Sequence, residues 1–340
     1  MLEYPNGNHE EDWIDKRQVT SDMQFRSIVN IPRASASITH QQSVLCMGSC
    51  FAANIAQKMQ QAGFTTCYPL GTLYNPQSIA QGLQYLQKGT PLQKDELFYH
   101  NERWHHIDFH SDFSHTDKAT ALQQMNQAIA AGHQAWQNSQ VLVLTLGTAW
   151  CYTWKETGKV AGNCHRLPAD QFERSRLSLE QIVACLNDIC SQAADKQIIV
   201  TVSPIRHWKD GAHQNALSKA LLLLACEQLE AQHSNVTYFP SYEIMMDELR
   251  DYRFYADDMM HPSDMAVQYI WQRFSETFFS PATQQACADW LKIEQMRSHK
   301  PFNTQSEAYR QLQEKIAQQL QQWQEKYSLR SDESTKRLNT

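Results

Sequence analysis

Five short apolar runs, at residues 43–47, 64–68, 141–146, 198–202 and 236–239, alternate with segments whose apolar residues recur at helical spacing. The longer helical patterns cover 51–61, 76–87, 117–137, 178–194 and 215–232. Runs this short and uninterrupted read as strands buried on both faces. Helix-length segments between consecutive strands are the crossovers that parallel pairing requires. The alternation therefore predicts an α/β chain, with a five-stranded parallel sheet covered on both faces by helices. In such a sheet ligands bind beyond the carboxyl ends of the strands, near a reversal in strand order.

Four segments follow strand ends and converge on that edge: Gly48-Ser49-Cys50, Gly71 to Asn75, Gly147-Thr148 and Ser203 to His207. The first carries the most chemistry. An apolar run ends in Gly-Ser-Cys and a helical pattern starts at Phe51, so a nucleophile there sits on a sharp strand-to-helix turn. The free amides of the helix N-terminus point at it, favouring a thiolate and the oxyanion of a tetrahedral intermediate alike. A plain turn, with Gly48 permitting the bend and Cys50 buried as a small hydrophobe, is the structural alternative.

Asp258 and His261 stand three apart, just before the helical pattern of 262–278, and can point the same way from one turn. A carboxylate at that offset fixes the tautomer of the imidazole and stabilises its charged form. Arg206 and His207 lie just past a strand end, where Arg206 could bind an anionic group on a substrate.

Residues 48–52, Gly-Ser-Cys-Phe-Ala, resemble the signature that names the GSCFA proteins. The likeness continues through Gly71-Thr-Leu-Tyr-Asn75-Pro76, Leu146-Gly147-Thr148, Asn163-Cys164-His165-Arg166, Ser203-Pro-Ile-Arg206-His207 and the Asp258/His261 turn, spanning roughly 25–280. That family is similar to the SGNH, or GDSL, esterases and acyltransferases, which include plant polysaccharide O-acetyltransferases. The resemblance implies an SGNH-hydrolase-like three-layer α/β/α fold with flavodoxin-like strand order. The implied activity is an acyl-ester hydrolase or O-acyltransferase working through a covalent acyl-enzyme on a small-molecule or glycan ester. Laying Gly-Asp-Ser on Gly48-Ser49-Cys50 puts a thiol at the nucleophile position, with Ser49 as the second candidate if the turn shifts by one residue. The block that reads Gly-x-Asn-Asp in SGNH enzymes is Gly147-Thr148-Ala149-Trp150 here, so the usual oxyanion Asn is an Ala. Asn75, with the amides of Cys50 and Gly71, is the substitute, although Asn75-Pro76 also has the form of a helix N-cap followed by proline. A catalytically silent module binding a glycan or acylated ligand is the rival reading.

Segments 97–109 and 150–160 break the alternation and read as hairpin-like insertions, with His105 and His106 as packed or solvated side chains. A polar segment, 1–24, precedes the main domain at 25–280, and a Gln-rich helical extension occupies 281–340. The extension aligns Tyr309, Leu312, Ile316, Leu320, Trp323 and Tyr327 on one stripe, expected to pack on its own chain, with a polar tail from Arg330. A net charge of −6 gives no basic face for nucleic acid. No run approaches the roughly 18 apolar residues of a membrane span. The acidic start lacks an apolar signal core, and nine cysteines without Cys-x-x-Cys spacing fit reduced thiols, so a cytoplasmic location is expected. No metal site and no cofactor are expected, and the oligomeric state is left open.

Overall fold

The computed structural model describes residues 26–34, 36–298 and 306–327. The main domain begins with β1 (Val44–Gly48), α1 (Cys50–Gln61), β2 (Thr66–Cys67) and α2 (Pro76–Lys88). A first insertion, β3 (Phe98–His100) and β4 (Arg103–His105), precedes α3 (Lys118–Asn138) and β5 (Val141–Leu146). A second, β6 (Trp150–Trp154), β7 (Lys159–Val160) and β8 (Phe172–Arg176), precedes α4 (Leu179–Gln192), β9 (Gln197–Val202), α5 (Ala212–Gln232) and β10 (Val236–Phe239). The short α6 (Ser241–Glu243) runs into a π-type turn over Ile244–Leu249, followed by α7 (Asp264–Phe278), α8 (Pro281–Arg297) and α9 (Glu307–Lys326).

The central sheet has the order β10-β9-β5-β1-β2, and every pairing in it is parallel. Numbered along the chain this is 2-1-3-4-5, the flavodoxin-like order expected, with its reversal between β1 and β5. Alternate side chains feed opposite layers. Leu45 and Met47 of β1, Leu142 and Leu144 of β5 and Ile198 and Val200 of β9 pack with α2, α3, α4 and α5. Val44 and Cys46, Val141 and Val143, and Ile199 pack on the other face with α1 and α7. Both faces of the strands are thus buried, which is why their sequences carry no polar alternation. The α/β/α sandwich is as anticipated.

Segment 64–68 contributes only the two-residue strand β2. Both insertions are antiparallel, and the second is a three-stranded sheet of order β7-β6-β8. Its third strand escaped the sequence pattern because Phe172 is the only buried residue in Phe-Glu-Arg-Ser-Arg. His105 and His106 are buried among these insertions. His105 bonds Ser114 Oγ at 2.6 Å and the His100 carbonyl at 2.9 Å, and its ring lies 4.4 Å from that of His165.

The C-terminal helices α8 and α9 run antiparallel. Trp290, Ile293, Ile316 and Trp323 form their shared core, joined by Leu312, Leu320 and Tyr327 of the foreseen stripe. Trp323 Nε1 donates to the Ala286 carbonyl at 2.9 Å. The pair docks on the main domain where α1 ends. The Trp290 ring covers Gly63, where a Cβ would come within 2.7 Å of it, and His40 is sandwiched between Phe64 and Trp323 with centroids at 4.0 and 5.1 Å. The polar segment 1–24 and the tail from Arg330 lie outside the described residues. Among the described residues no helix is long and apolar enough to cross a membrane.

Candidate active site

The reversal of strand order brings the ends of β1 and β5 side by side, with Gly48 paired to Thr145. Gly48 adopts φ +127°, and a Cβ there would lie 2.1 Å from the Thr145 carbonyl oxygen, so only glycine fits. The next residue, Ser49, donates its amide to the same carbonyl at 2.9 Å and is the N-cap of α1. Its hydroxyl accepts from the Phe51 amide at 3.3 Å, and the residue is 1% exposed. Ser49 is thereby committed to closing the helix. Cys50 is the first residue of α1, half-buried, with its sulfur directed to the cleft.

The second half of the site comes from the loop before α7. The Ala256 amide donates to the His261 carbonyl at 2.8 Å, and the Met259 amide to the Ala256 carbonyl at 2.9 Å, with Met259 at φ +57°. This tight turn aims Asp258 back at its own loop. Asp258 Oδ1 accepts the amides of Met260 and His261, each at 2.9 Å, and Oδ2 accepts from His261 Nδ1 at 2.6 Å. The two amides first, then the imidazole, pull the Asp258 carboxyl down to about 2. With Nδ1 donating to the carboxylate, Nε2 is left to face the thiol. Cys50 Sγ lies 3.5 Å from His261 Nε2.

The sequence led to an expectation of a lowered thiol pKa, and the structure corrects it. Burial pushes the Cys50 thiol up, outweighing the opposing pull of its own amide, of Lys219 and of the Phe51 amide. The resting nucleophile is therefore a neutral thiol hydrogen-bonded to imidazole rather than a standing thiolate. Labelling of Cys50 by iodoacetamide should accordingly keep rising through the alkaline range, above the ordinary thiol value, instead of reaching a plateau in mild acid. Lys219→Met should slow it further at neutral pH. A labelling rate already maximal in mild acid would show a preformed ion pair and contradict this electrostatic balance.

Lys219 was not anticipated. It is 1% exposed, and its ammonium donates to the carbonyls of Gly147 and Ser203, each at 2.7 Å. One side chain of α5 so ties together the ends of β5 and β9, and burial pushes it down to about 7. A sequence signal existed: Lys219 falls in register with Asn215, Ser218, Leu222 and Cys226 on the buried face of its helix. Tyr74 and Tyr68, whose hydroxyls feel the charge of Cys50, were also missed.

The remaining candidates divide by what they touch. Gly71, at φ +71°, precedes Thr72, which bridges to Gly48, so this loop runs beside the nucleophile turn. Asn75 caps α2, its Oδ1 accepting from the Ser78 amide at 2.9 Å. The Gly147 and Thr148 amides both donate to the Tyr74 carbonyl, at 2.8 and 3.0 Å, and Thr148 Oγ1 pairs with Ser218 Oγ at 3.0 Å. Those amides are consumed by the scaffold and are not oxyanion donors, which corrects the part assigned to Gly147 and Thr148. Arg206 turns its guanidinium to the Met246 sulfur at 3.4 Å and over the Trp208 ring at 5.1 Å, while its amide donates to the Met260 carbonyl. It braces the loop that carries His261 rather than facing the thiol. His207 packs edge-on to Tyr74 at 5.7 Å, and burial, then Lys219 and His261 beside it, push it down to about 4.

A cleft of about 460 Å³ between α1 and α7 opens on Cys50 and His261, lined further by Asn54, Gln57, Asp264 and Val267. Among the described residues no group of three or more His, Cys, Asp or Glu is placed to hold a metal ion.

Searches of curated proteins and of solved structures return no match. The model described as GSCFA family matches residues 43–274, and that described as GSCFA domain protein, C-terminal domain, matches 290–337. The first match alone spans more than half of the 340 residues and covers both the nucleophile turn and the Asp258/His261 turn, so the chain belongs to the GSCFA family.

Proposed function

We propose that the protein is an acyl-transfer enzyme, an ester hydrolase or O-acyltransferase that works through an acyl-cysteine intermediate at Cys50. The observation that carries this reading is the continuous relay from Cys50 Sγ through the His261 imidazole to Asp258, at 3.5 and 2.6 Å. A binding module has no need for a base oriented on a thiol. The Cys50 sulfur attacks the acyl carbonyl while its proton passes to His261 Nε2, and Asp258 stabilises the imidazolium that forms. The tetrahedral oxyanion takes the Cys50 amide as a donor, with the Gly71 loop and Asn75 on the flank. Collapse breaks the acyl–oxygen bond, and His261 returns the proton to the leaving alcohol. Water or an acceptor hydroxyl, deprotonated by the same imidazole, then attacks the thioester and restores the thiol. No step calls for a cofactor.

The test is a screen of short acyl esters with intact-mass detection of the acylated protein. The adduct should map to Cys50 and be absent from Cys50→Ala. Ser49→Ala should keep acylation within a few-fold and cost about 1 kcal/mol of stability through loss of the helix cap. An adduct on Ser49, or none with any ester, would overturn the assignment, and the latter would favour the silent module.

A further inference from the structure

A second cavity, of about 450 Å³, is lined by α2 residues Gln81, Tyr85 and Lys88, by Glu96 in the loop that follows, and by Asp108 and Lys159 of the insertions. None of these residues lines the Cys50 cleft. At its wall lies a carboxylate that the fold leaves incomplete. Asp108 is 7% exposed, and its Oδ2 accepts from the Tyr85 hydroxyl at 2.8 Å. Oδ1 is buried with no hydrogen-bond partner. The Gln81 side-chain oxygen, one helical turn from Tyr85 on the same face of α2, is likewise buried and unpartnered. Two unsatisfied acceptors lining one cavity are unusual in a folded protein, where buried polar atoms are almost always paired.

The chemistry of the lining selects the ligand. An anion is repelled by the Asp108 carboxylate. A cation meets Lys88 and Lys159 among the lining groups, and an apolar group would leave both acceptors unpaired. A neutral molecule carrying several hydroxyls meets every requirement: it donates to Asp108 and Gln81 and accepts from the lysines. It can also lay a C–H face on the Tyr85 ring. We propose that this cavity is a sugar-binding site, separate from the Cys50 cleft and independent of the chemistry assigned to it.

Saturation-transfer NMR on the full chain, with methyl α-glucoside, methyl α-mannoside, methyl β-galactoside and N-acetylglucosamine as probes, tests the proposal, and titration gives the affinity. At least one sugar should bind. Asp108→Asn, which replaces a charge-assisted hydrogen bond with a neutral one, should weaken it about tenfold. Gln81→Leu, at a half-buried position that the fold tolerates, should weaken it as well and decides the matter if the Asp108 variant fails to fold. Cys50→Ala should bind sugar as the parent does. Absence of transfer from all four sugars would overturn the proposal, as would binding unchanged in both cavity variants. So would binding of 1,4-diaminobutane, lost in Asp108→Asn, in the absence of sugar binding, since that marks a cation site.

Discussion

His261→Ala is expected to lower acyl transfer by about a hundredfold to ten-thousandfold, the usual worth of general-base assistance. Melting temperature should barely move. The imidazole side chain is 45% exposed, and the loop is held by backbone bonds such as Ala256 N to the His261 carbonyl at 2.8 Å, which survive the substitution. Asp258→Asn should act in the same direction while preserving the turn. Its remaining carbonyl oxygen can still accept the Met260 and His261 amides, whereas the amide group facing Nδ1 donates and imposes the wrong tautomer. With its carboxyl held near 2, Asp258 stays ionised down to that pH, so protonation of this residue does not limit the relay under ordinary assay conditions. The stabilising contribution of this carboxylate is present above the unfolded aspartate value and is lost as pH falls through about 2. Kinetics on the screened ester, with calorimetry on each variant, checks both halves. Loss of several degrees in step with activity would make the turn a structural bracket instead.

Gly48→Ala carries the largest expected cost in stability. The added methyl would sit 2.1 Å from the Thr145 carbonyl oxygen, in a backbone conformation at φ +127° that L side chains rarely adopt. Relief requires parting β1 from β5 at the centre of the sheet, where Gly48 pairs with Thr145 and that carbonyl also takes the Ser49 amide. Strain and lost pairing together should cost about 3–5 kcal/mol, or a fall in melting temperature on the order of 10 °C. Because the same turn presents Cys50, acylation should fall too, even in the fraction that remains folded. A melting temperature within about 2 °C of the parent would mean that the turn is not built as described.

Strands β1, β5, β9 and β10 were legible because parallel strands buried on both faces need unbroken apolar runs. Strand β8 was not, because a strand with one buried residue leaves no periodic trace. The helix starts were equally local: Ser49, Asn75 and Ser178 each accept from an amide in the first turn of the helix that follows. That locality also explains why Ser49 and Asn75 looked like chemistry. The residue types suited to caps are the types suited to catalysis, and only three-dimensional placement shows which hydrogen bonds are already made.

Local signals were enough for the α/β class, for the strand-to-helix turn at Gly48-Ser49-Cys50 and for the pairing of Asp258 with His261, because each depends on residues within a few positions of one another. The meeting of Cys50 with His261, 211 residues away, is a property of the folded sheet, since loop closure over that span has no local signature. The same holds for Lys219, whose charge enters the site from α5 by joining the ends of two strands. It holds also for the sign of the shift at Cys50, where burial overcomes the helix N-terminus. Desolvation is set by everything packed around a group, and no stretch of sequence contains that sum.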